Sequence, residues 1–202
     1  MRRLFVLLFF LPNLVSGQVI WEKYDGGGTK EIQEEVINEI KEMYRSAIGL
    51  YDSLSEICDT SIWIDSNLYN PGLLCGSIEQ SASYCNYGNG YTSISYNRNT
   101  GNCGTIGNHY YYNGRPFFIN FTSSCGPFYS ESTCEFYIAS KGYLIEGIRE
   151  YIEGYMEKPE RETYNIQKEE DPDAAFSIIS EYRSSLDSLL YAQYYLIKFN
   201  DK

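Results

Sequence analysis

The six cysteines of this chain all lie between residues 58 and 134, and that grouping limits its architecture more than any other feature. They are Cys58, Cys75, Cys85, Cys103, Cys125 and Cys134. An even number of cysteines in a secreted chain predicts disulfide bonds, here three of them. Zinc is the alternative, but no two cysteines have C-x2-C spacing and the chain has one histidine, so we expect no metal. The sequence does not fix the pairing; the short intervals favour Cys125–Cys134 and Cys75–Cys85, which leaves Cys58–Cys103.

The N-terminus has the layout of a secretory signal peptide. Arg2 and Arg3 precede an unbroken apolar run over residues 4–11, and small residues follow up to Gly17. The run is far shorter than the ~20 residues that a membrane-spanning helix needs. We therefore expect cleavage after Gly17, with Gln18 as the new N-terminus, and a mature protein that is secreted or held at the cell surface without a membrane span.

The net charge restricts the partners. It is −11 at pH 7, and removal of Arg2 and Arg3 with the signal peptide takes it from −11 to −13. Nucleic acid and anionic membrane surfaces are bound through Lys and Arg, so neither is an expected partner. We expect no cofactor.

Three segments carry an apolar residue at every third or fourth position, which predicts amphipathic helices near residues 29–57, 139–157 and 172–198. Thr29 is a suitable N-cap for the first, and Pro159 ends the second. Each helix needs a partner for its apolar stripe, and the segments between them are long enough for the chain to turn back. This predicts a three-helix bundle, with homo-oligomerisation through the same stripes as the alternative.

The zone between the first two helices is polar but nearly uncharged, and it is rich in turn residues and tyrosine. A chain of this composition needs disulfides, at roughly 2–4 kcal/mol each, to complete a small core. We therefore expect an α+β, helix-dominated fold in which a strand- and turn-rich disulfide-bonded head is inserted into the bundle. The expected organisation is signal peptide (1–17), flexible segment (18–28), helix 1 (29–58), head (59–136), helix 2 (137–158), charged linker (159–171) and helix 3 (172–202).

A β-hairpin is predicted inside the head. Asn113-Gly114 is a strong type I′ turn signal, because both residues tolerate positive φ. Two-residue closure would pair Tyr112 with Arg115 and Tyr110 with Phe117. It would turn Tyr110 and Tyr112 towards the core.

An N-glycosylation sequon lies on the outgoing strand of this hairpin. Residues Asn120 to Thr122 read Asn-Phe-Thr. A glycan must reach solvent, so the face that carries Phe118, Asn120 and Thr122 is predicted to point outwards, together with Tyr111.

The aromatic residues of the head have two interpretations. Tyrosine among Ser, Gly and Asn is the composition of adaptable binding loops, which predicts that Tyr111, Tyr91, Tyr96 and Phe118 contact a partner. Tyrosine also fills small cores while its hydroxyl group reaches water, and the sequence does not separate the two interpretations.

Catalytic residues have weaker support. His109 has no nucleophile motif nearby, so a structural role at the end of a strand is the preferred interpretation. The head contains four acids that a glycosidase could use as a pair, namely Asp65, Glu79, Glu131 and Glu135. No spacing singles out two of them.

These patterns predict a secreted or surface-associated, non-enzymatic interaction or structural protein that presents its head to an extracellular protein or glycan. One alternative is a secreted hydrolase that acts on glycans or cell-wall material through paired head carboxylates. A second alternative is a small-ligand carrier with a pocket inside the bundle.

Overall fold

The computed structural model describes residues 18–53, 58–65, 78–99, 103–126, 130–154, 156, 158–165 and 172–200. Eight antiparallel strands form one sheet in which every strand pairs with its neighbours in sequence. The strands are β1 (Cys58–Asp65), β2 (Ile78–Gly88), β3 (Tyr91–Asn99), β4 (Cys103–Tyr112), β5 (Arg115–Cys125), β6 (Ser130–Ile138), β7 (Leu144–Ile152) and β8 (Glu160–Asn165). The helices are α1 (Gln18–Lys23), α2 (Lys30–Ser53) and α3 (Pro172–Asn200).

Helices cover both faces of the sheet, and successive strand residues point to opposite faces. We call the face against α1 and α2 the α2 side, and the face against α3 the α3 side. The α2 side has a core that includes Trp21, Ile40, Tyr91 and Phe118. The α3 side has a separate core around Ile94, Ile119, Phe136 and Ile178. The protein therefore has three layers with one sheet in the middle.

Two of the three predicted helices are confirmed. α2 buries Val36, Ile40, Met43 and Ala47, which follow the predicted stripe. α3 begins at Pro172, as the proline at a first helical position indicates. The predicted residues 54–57 of the first helix lie outside the described part of the chain.

The helix-dominated bundle is wrong, because the protein is mostly sheet. The predicted second helix, near residues 139–157, is instead a turn followed by strand β7. Both faces of this strand are covered: Leu144 belongs to the α3-side core and Ile145 to the α2-side core. A strand buried on both faces has no polar–apolar alternation, so its apolar residues imitated a helical stripe. Gly147 also fits the strand, since Ile178 of α3 occupies the space where a Cβ would lie.

Three further predicted boundaries are corrected. The segment expected to be flexible, 18–28, contains α1 and the fully buried Trp21. The expected charged linker, 159–171, contains strand β8. The head is not a separate unit, because its strands continue through β6 into β7 and β8 of the same sheet.

The hairpin around Asn113-Gly114 is confirmed, and both residues have positive φ, 49° and 75°. The pairing of Tyr112 with Arg115 is also confirmed. Tyr110, however, pairs with Phe118, because a β-bulge leaves Phe117 as an extra residue. The bulge places Phe117 and Phe118 together in the α2-side core, where the alternation predicted opposite faces.

The predicted disulfide pairing is wrong. The bonds are Cys58–Cys85, between β1 and β2, and Cys103–Cys125, between β4 and β5. Each joins residues directly opposite on neighbouring strands, with Cα atoms 4.2 and 4.1 Å apart. Cys134 is a buried free cysteine, and Cys75 lies outside the described residues. Sequence proximity did not predict the pairs, because Cys134 stands opposite Phe121 and not opposite Cys125.

Candidate functional site

The α2 side of the sheet is only partly covered by helices. α2 crosses it over an aromatic area, where the ring of Tyr44 lies 4.4 Å from that of Phe118 and 5.0 Å from that of Tyr110. Trp21 of α1 packs edge-on against Phe117. This part of the α2 side is core.

Further along the same strands, the side chains of the α2 side become polar and uncharged. Alternate residues of β3, β4 and β5 place them on one face, and cross-strand pairs such as Ser95 with Asn108 and Asn108 with Asn120 bring them side by side. We call this area the polar floor. Its members are Ser83, Ser95, Asn97, Asn99, Asn108, Asn120, Thr122 and Ser124, with Ile106 as an apolar residue among them.

Two adjoining cavities open on the polar floor. The smaller one, about 400 Å³, lies beside the C-terminal part of α2 and is lined by Ile48, Tyr87, Ser95, Asn108 and others. The larger one, about 570 Å³, is lined by Asn97, Asn99, Ile106, Thr122, Ser124 and others. Ser95 and Asn97 are two residues apart on β3, so the cavities follow one another along the strand. Each is bounded by a disulfide, Cys58–Cys85 in the smaller and Cys103–Cys125 in the larger.

The polar floor offers mainly neutral side chains that can form hydrogen bonds. Among the described residues that line the two cavities, Glu131 is the only charged one. Amide side chains offer donors and acceptors together, and hydroxyl groups do the same. Ile106 adds an apolar contact, since 49% of its surface is exposed. The arrangement suits an uncharged ligand that carries many hydroxyl groups and some apolar surface.

The aromatic residues predicted to contact a partner lie elsewhere. Tyr91 and Phe118 belong to the α2-side core, and Tyr96 belongs to the α3-side core. Tyr111 is half-buried against the α3-side core, and burial raises its pKa to about 12. The sequence analysis did not identify the polar floor as a binding surface. The alternation Ser95, Asn97, Asn99 is the signal that points to it.

His109 is fully buried beneath α3, where its ring lies 5.9 Å from that of Tyr96. Burial lowers its pKa to about 3; the Ser185 backbone opposes this shift but completes no hydrogen bond to the ring. Neither ring nitrogen has a hydrogen-bond partner in the described part of the chain. This position agrees with a structural role, although His109 lies within β4 and not at its end.

The two candidate acids of β6 are not brought together as a catalytic pair, and neither lies near those of β1 and β2, where Asp65 stands opposite Ile78 and Glu79 opposite Ile64. Glu131 and Glu135 lie four residues apart on β6, a separation of roughly 13 Å along a strand. Glycosidase carboxyl groups stand about 5–10 Å apart. Asp65 belongs to β1 and Glu79 to β2, and β3, β4 and β5 separate both strands from β6.

Cys134 does not resemble a reactive cysteine. Its thiol is buried in the α3-side core, and burial raises its pKa to about 12. A nucleophilic cysteine needs the opposite shift. The described residues contain no group of His, Cys, Asp and Glu side chains that could hold a metal ion, and none of their helices is long and apolar enough to cross a membrane.

Comparison of the chain with protein-family models, with curated proteins and with solved structures gives no match.

Proposed function

We propose that this protein is a secreted, non-enzymatic recognition protein that binds neutral glycan chains through the polar floor. The observation that carries the proposal is the hydrogen-bonding surface with its two consecutive cavities, in which Glu131 is the one charged residue among the described lining residues. An extracellular protein remains the alternative partner, which the experiment below tests.

Secretion has two supports. The N-terminal residues have the layout of a signal peptide, and disulfides persist in oxidising compartments outside the cytosol. The Cys58–Cys85 and Cys103–Cys125 bonds are compatible with such a compartment. Both bonds also brace strands of the polar floor, which pre-organises the surface before a ligand arrives.

The size and spacing of the site fit a glycan chain. Ligand cavities usually have volumes of about 300–1,000 Å³, and each of the two lies in that range. Neighbouring strands are about 4.8 Å apart, so amide and hydroxyl groups recur at short, regular intervals across the floor. A chain of sugars can meet such an array with hydroxyl groups at several points, while Ile106 contacts an apolar sugar face.

A glycan array tests the proposal. The mature protein, produced without N-glycosylation, is applied to printed neutral oligosaccharides and to sialylated and sulfated ones, beside the variants Asn97→Ala and Asn99→Ala. We expect binding to neutral glycans, reduced roughly fivefold to tenfold in each variant because a hydrogen-bonding group is lost. Arg98→Ala is the matched control, because Arg98 is exposed on the same strand but points to the α3 side.

Three results would overturn the proposal. They are binding restricted to acidic glycans, equal binding by the parent and both asparagine variants, and binding only to an extracellular protein in a parallel pull-down. Release of new reducing ends from a bound glycan would show hydrolysis, and it would contradict the proposal that the protein is non-enzymatic.

A further inference from the structure

The sequon residue Asn120 stands in the middle of the polar floor. It belongs to β5, a central strand, and not to a loop. Across the strands it pairs with Asn108, which lines the smaller cavity, and with Glu135. Thr122, two residues further on, lines the larger cavity. A sugar attached to Asn120 therefore starts on the floor itself.

Along β5, the surroundings of Asn120 differ in the two directions. Two residues before it, Phe118 is covered by Tyr44 of α2, whose ring lies 4.4 Å away. In the other direction lie Thr122 and, opposite it on β4, the exposed Ile106. Along this strand, a glycan on Asn120 therefore has room on the side away from α2, next to the larger cavity.

We propose that an N-linked glycan on Asn120 lies across the polar floor and fills the larger cavity, so that glycosylation of Asn120 closes the site. The occupant is chemically suited to the site, because a glycan core is neutral and rich in hydroxyl groups. Its attachment also gives it an effective concentration on the order of millimolar, which favours it over a free glycan of similar affinity. The placement of the glycan does not depend on the proposed function; only the expected loss of ligand binding rests on it.

The modification is a transfer of an oligosaccharide from a lipid-linked pyrophosphate donor. A bond forms between Nδ2 of Asn120 and the anomeric carbon of the first sugar. The bond between that carbon and the pyrophosphate oxygen breaks, the amide nitrogen loses one proton, and the lipid pyrophosphate leaves. Because this transfer precedes folding on a nascent chain, the half-buried position of Asn120 in the finished sheet does not prevent it.

The test uses the full chain secreted from a host that performs N-glycosylation. Intact mass should show one glycan in the parent and in Thr122→Ser, which keeps the sequon. Asn120→Gln and Thr122→Ala should carry none at this sequon. The second glycan-free variant keeps Asn120, so a folding defect of one variant does not decide the outcome.

Hydroxyl-radical footprinting then locates the glycan. Ile106 should be oxidised several-fold more slowly in the glycosylated parent than in Asn120→Gln or in the parent chain produced without N-glycosylation. Phe176, which is 76% exposed on α3, is the internal control and should react equally in all of them. An unglycosylated parent, or equal oxidation of Ile106 with and without the glycan, would overturn the inference.

Binding to the neutral glycan array separates the two proposals. The parent chain produced in a host without N-glycosylation, which keeps Asn120 and Thr122, should bind, and the glycosylated parent should bind several-fold more weakly. If Ile106 is protected but no form binds neutral glycans, the proposed function fails and the placement of the glycan stands. If both forms bind equally, the closing of the site is rejected and the proposed function stands.

Discussion

On the α2 side of the sheet the buried polar groups of Trp21 and Gln33 have hydrogen-bond partners, whereas on the α3 side His109 and Tyr96 have unpaired buried polar atoms among the described residues. The Trp21 indole donates to the Ile138 carbonyl at 2.8 Å, and the Gln33 amide donates to Oδ1 of Asn165 at 2.9 Å. Beneath α3, neither ring nitrogen of His109 has a partner in the same part of the chain, and the Tyr96 hydroxyl group, which lies near the Ser188 side chain, completes no hydrogen bond to it. Burial of an unpaired polar group costs about 1–3 kcal/mol.

This difference indicates that the two covers of the sheet are not equally stable. α1 and α2 pack on a paired, aromatic core, while α3 covers polar groups that water would satisfy. We therefore expect α3 to open before α2 in native-state hydrogen exchange. One exception on the α2 side is Glu39, whose Oε2 accepts from the Trp21 backbone at 2.8 Å while its Oε1 has no partner in the described ranges.

Trp21→Ala should have the largest effect, a loss of about 3–5 kcal/mol in the free energy of unfolding. Trp21 is fully buried, and truncation leaves a cavity and an unpaired Ile138 carbonyl. Urea titration gives the value. Ile20→Ala is the control, because the Ile20 side chain is exposed in the same helix. A Trp21→Ala loss below about 1 kcal/mol would mean that α1 is not part of the core.

Acidification should weaken the α3 side through His109. Its folded pKa is lowered to about 3, so the folded protein binds fewer protons than the unfolded chain below pH 6.5. Stability is then lost as the pH falls from about 6.5 towards 3, by about 3 kcal/mol at pH 4. His109→Phe should remove this part of the pH dependence and leave stability at pH 7 unchanged or higher. If the stability of His109→Phe depends on pH in the same way as that of the parent, then His109 is solvated in the folded protein.

Gly107→Ala should destabilise the protein by about 1–3 kcal/mol, because a Cβ at this position overlaps the buried ring of Tyr96. Thermal unfolding measures the loss. Gly104→Ala is the matched control on the same strand, since its nearest neighbour would be Oγ of Ser124 at 3.7 Å. Equal melting temperatures for the two variants would mean that the Tyr96 ring shifts away from the added Cβ and that α3 accommodates the shift at little cost.

Glu39→Gln should give the smallest effect. The contribution of Glu39 to stability depends on pH in the opposite direction from that of His109. Desolvation raises the pKa of Glu39 to about 7, so the folded state binds the extra proton. The resulting stabilisation is complete below pH 4.5 and is lost as the pH rises through 7. The glutamine variant should be more stable than the parent at pH 8, by about 1–2 kcal/mol, in urea titration. Glu35→Gln, exposed on the same helix, should show no such gain.

Part of the fold could be predicted from local signals. The stripe of α2 and the proline start of α3 identified both helices, because one face of each meets the sheet and the other meets water. The Asn113-Gly114 turn was equally local, since its positive φ values depend on those two residues. The polar floor left a weaker signal in the alternation Ser95, Asn97, Asn99, which becomes a surface only when neighbouring strands add Asn108 and Thr122.

Other features were decided by the tertiary structure. Whether residues 144–152 form a helix or a strand depends on covering helices that lie far away in sequence, because burial of both faces removes the alternation that marks a strand. The disulfide partners depend on strand register: Cys85 meets Cys58 only because β1 and β2 pair in that register. Sequence thus determined the elements whose signals lie within a few residues, and the packing of distant residues decided the rest.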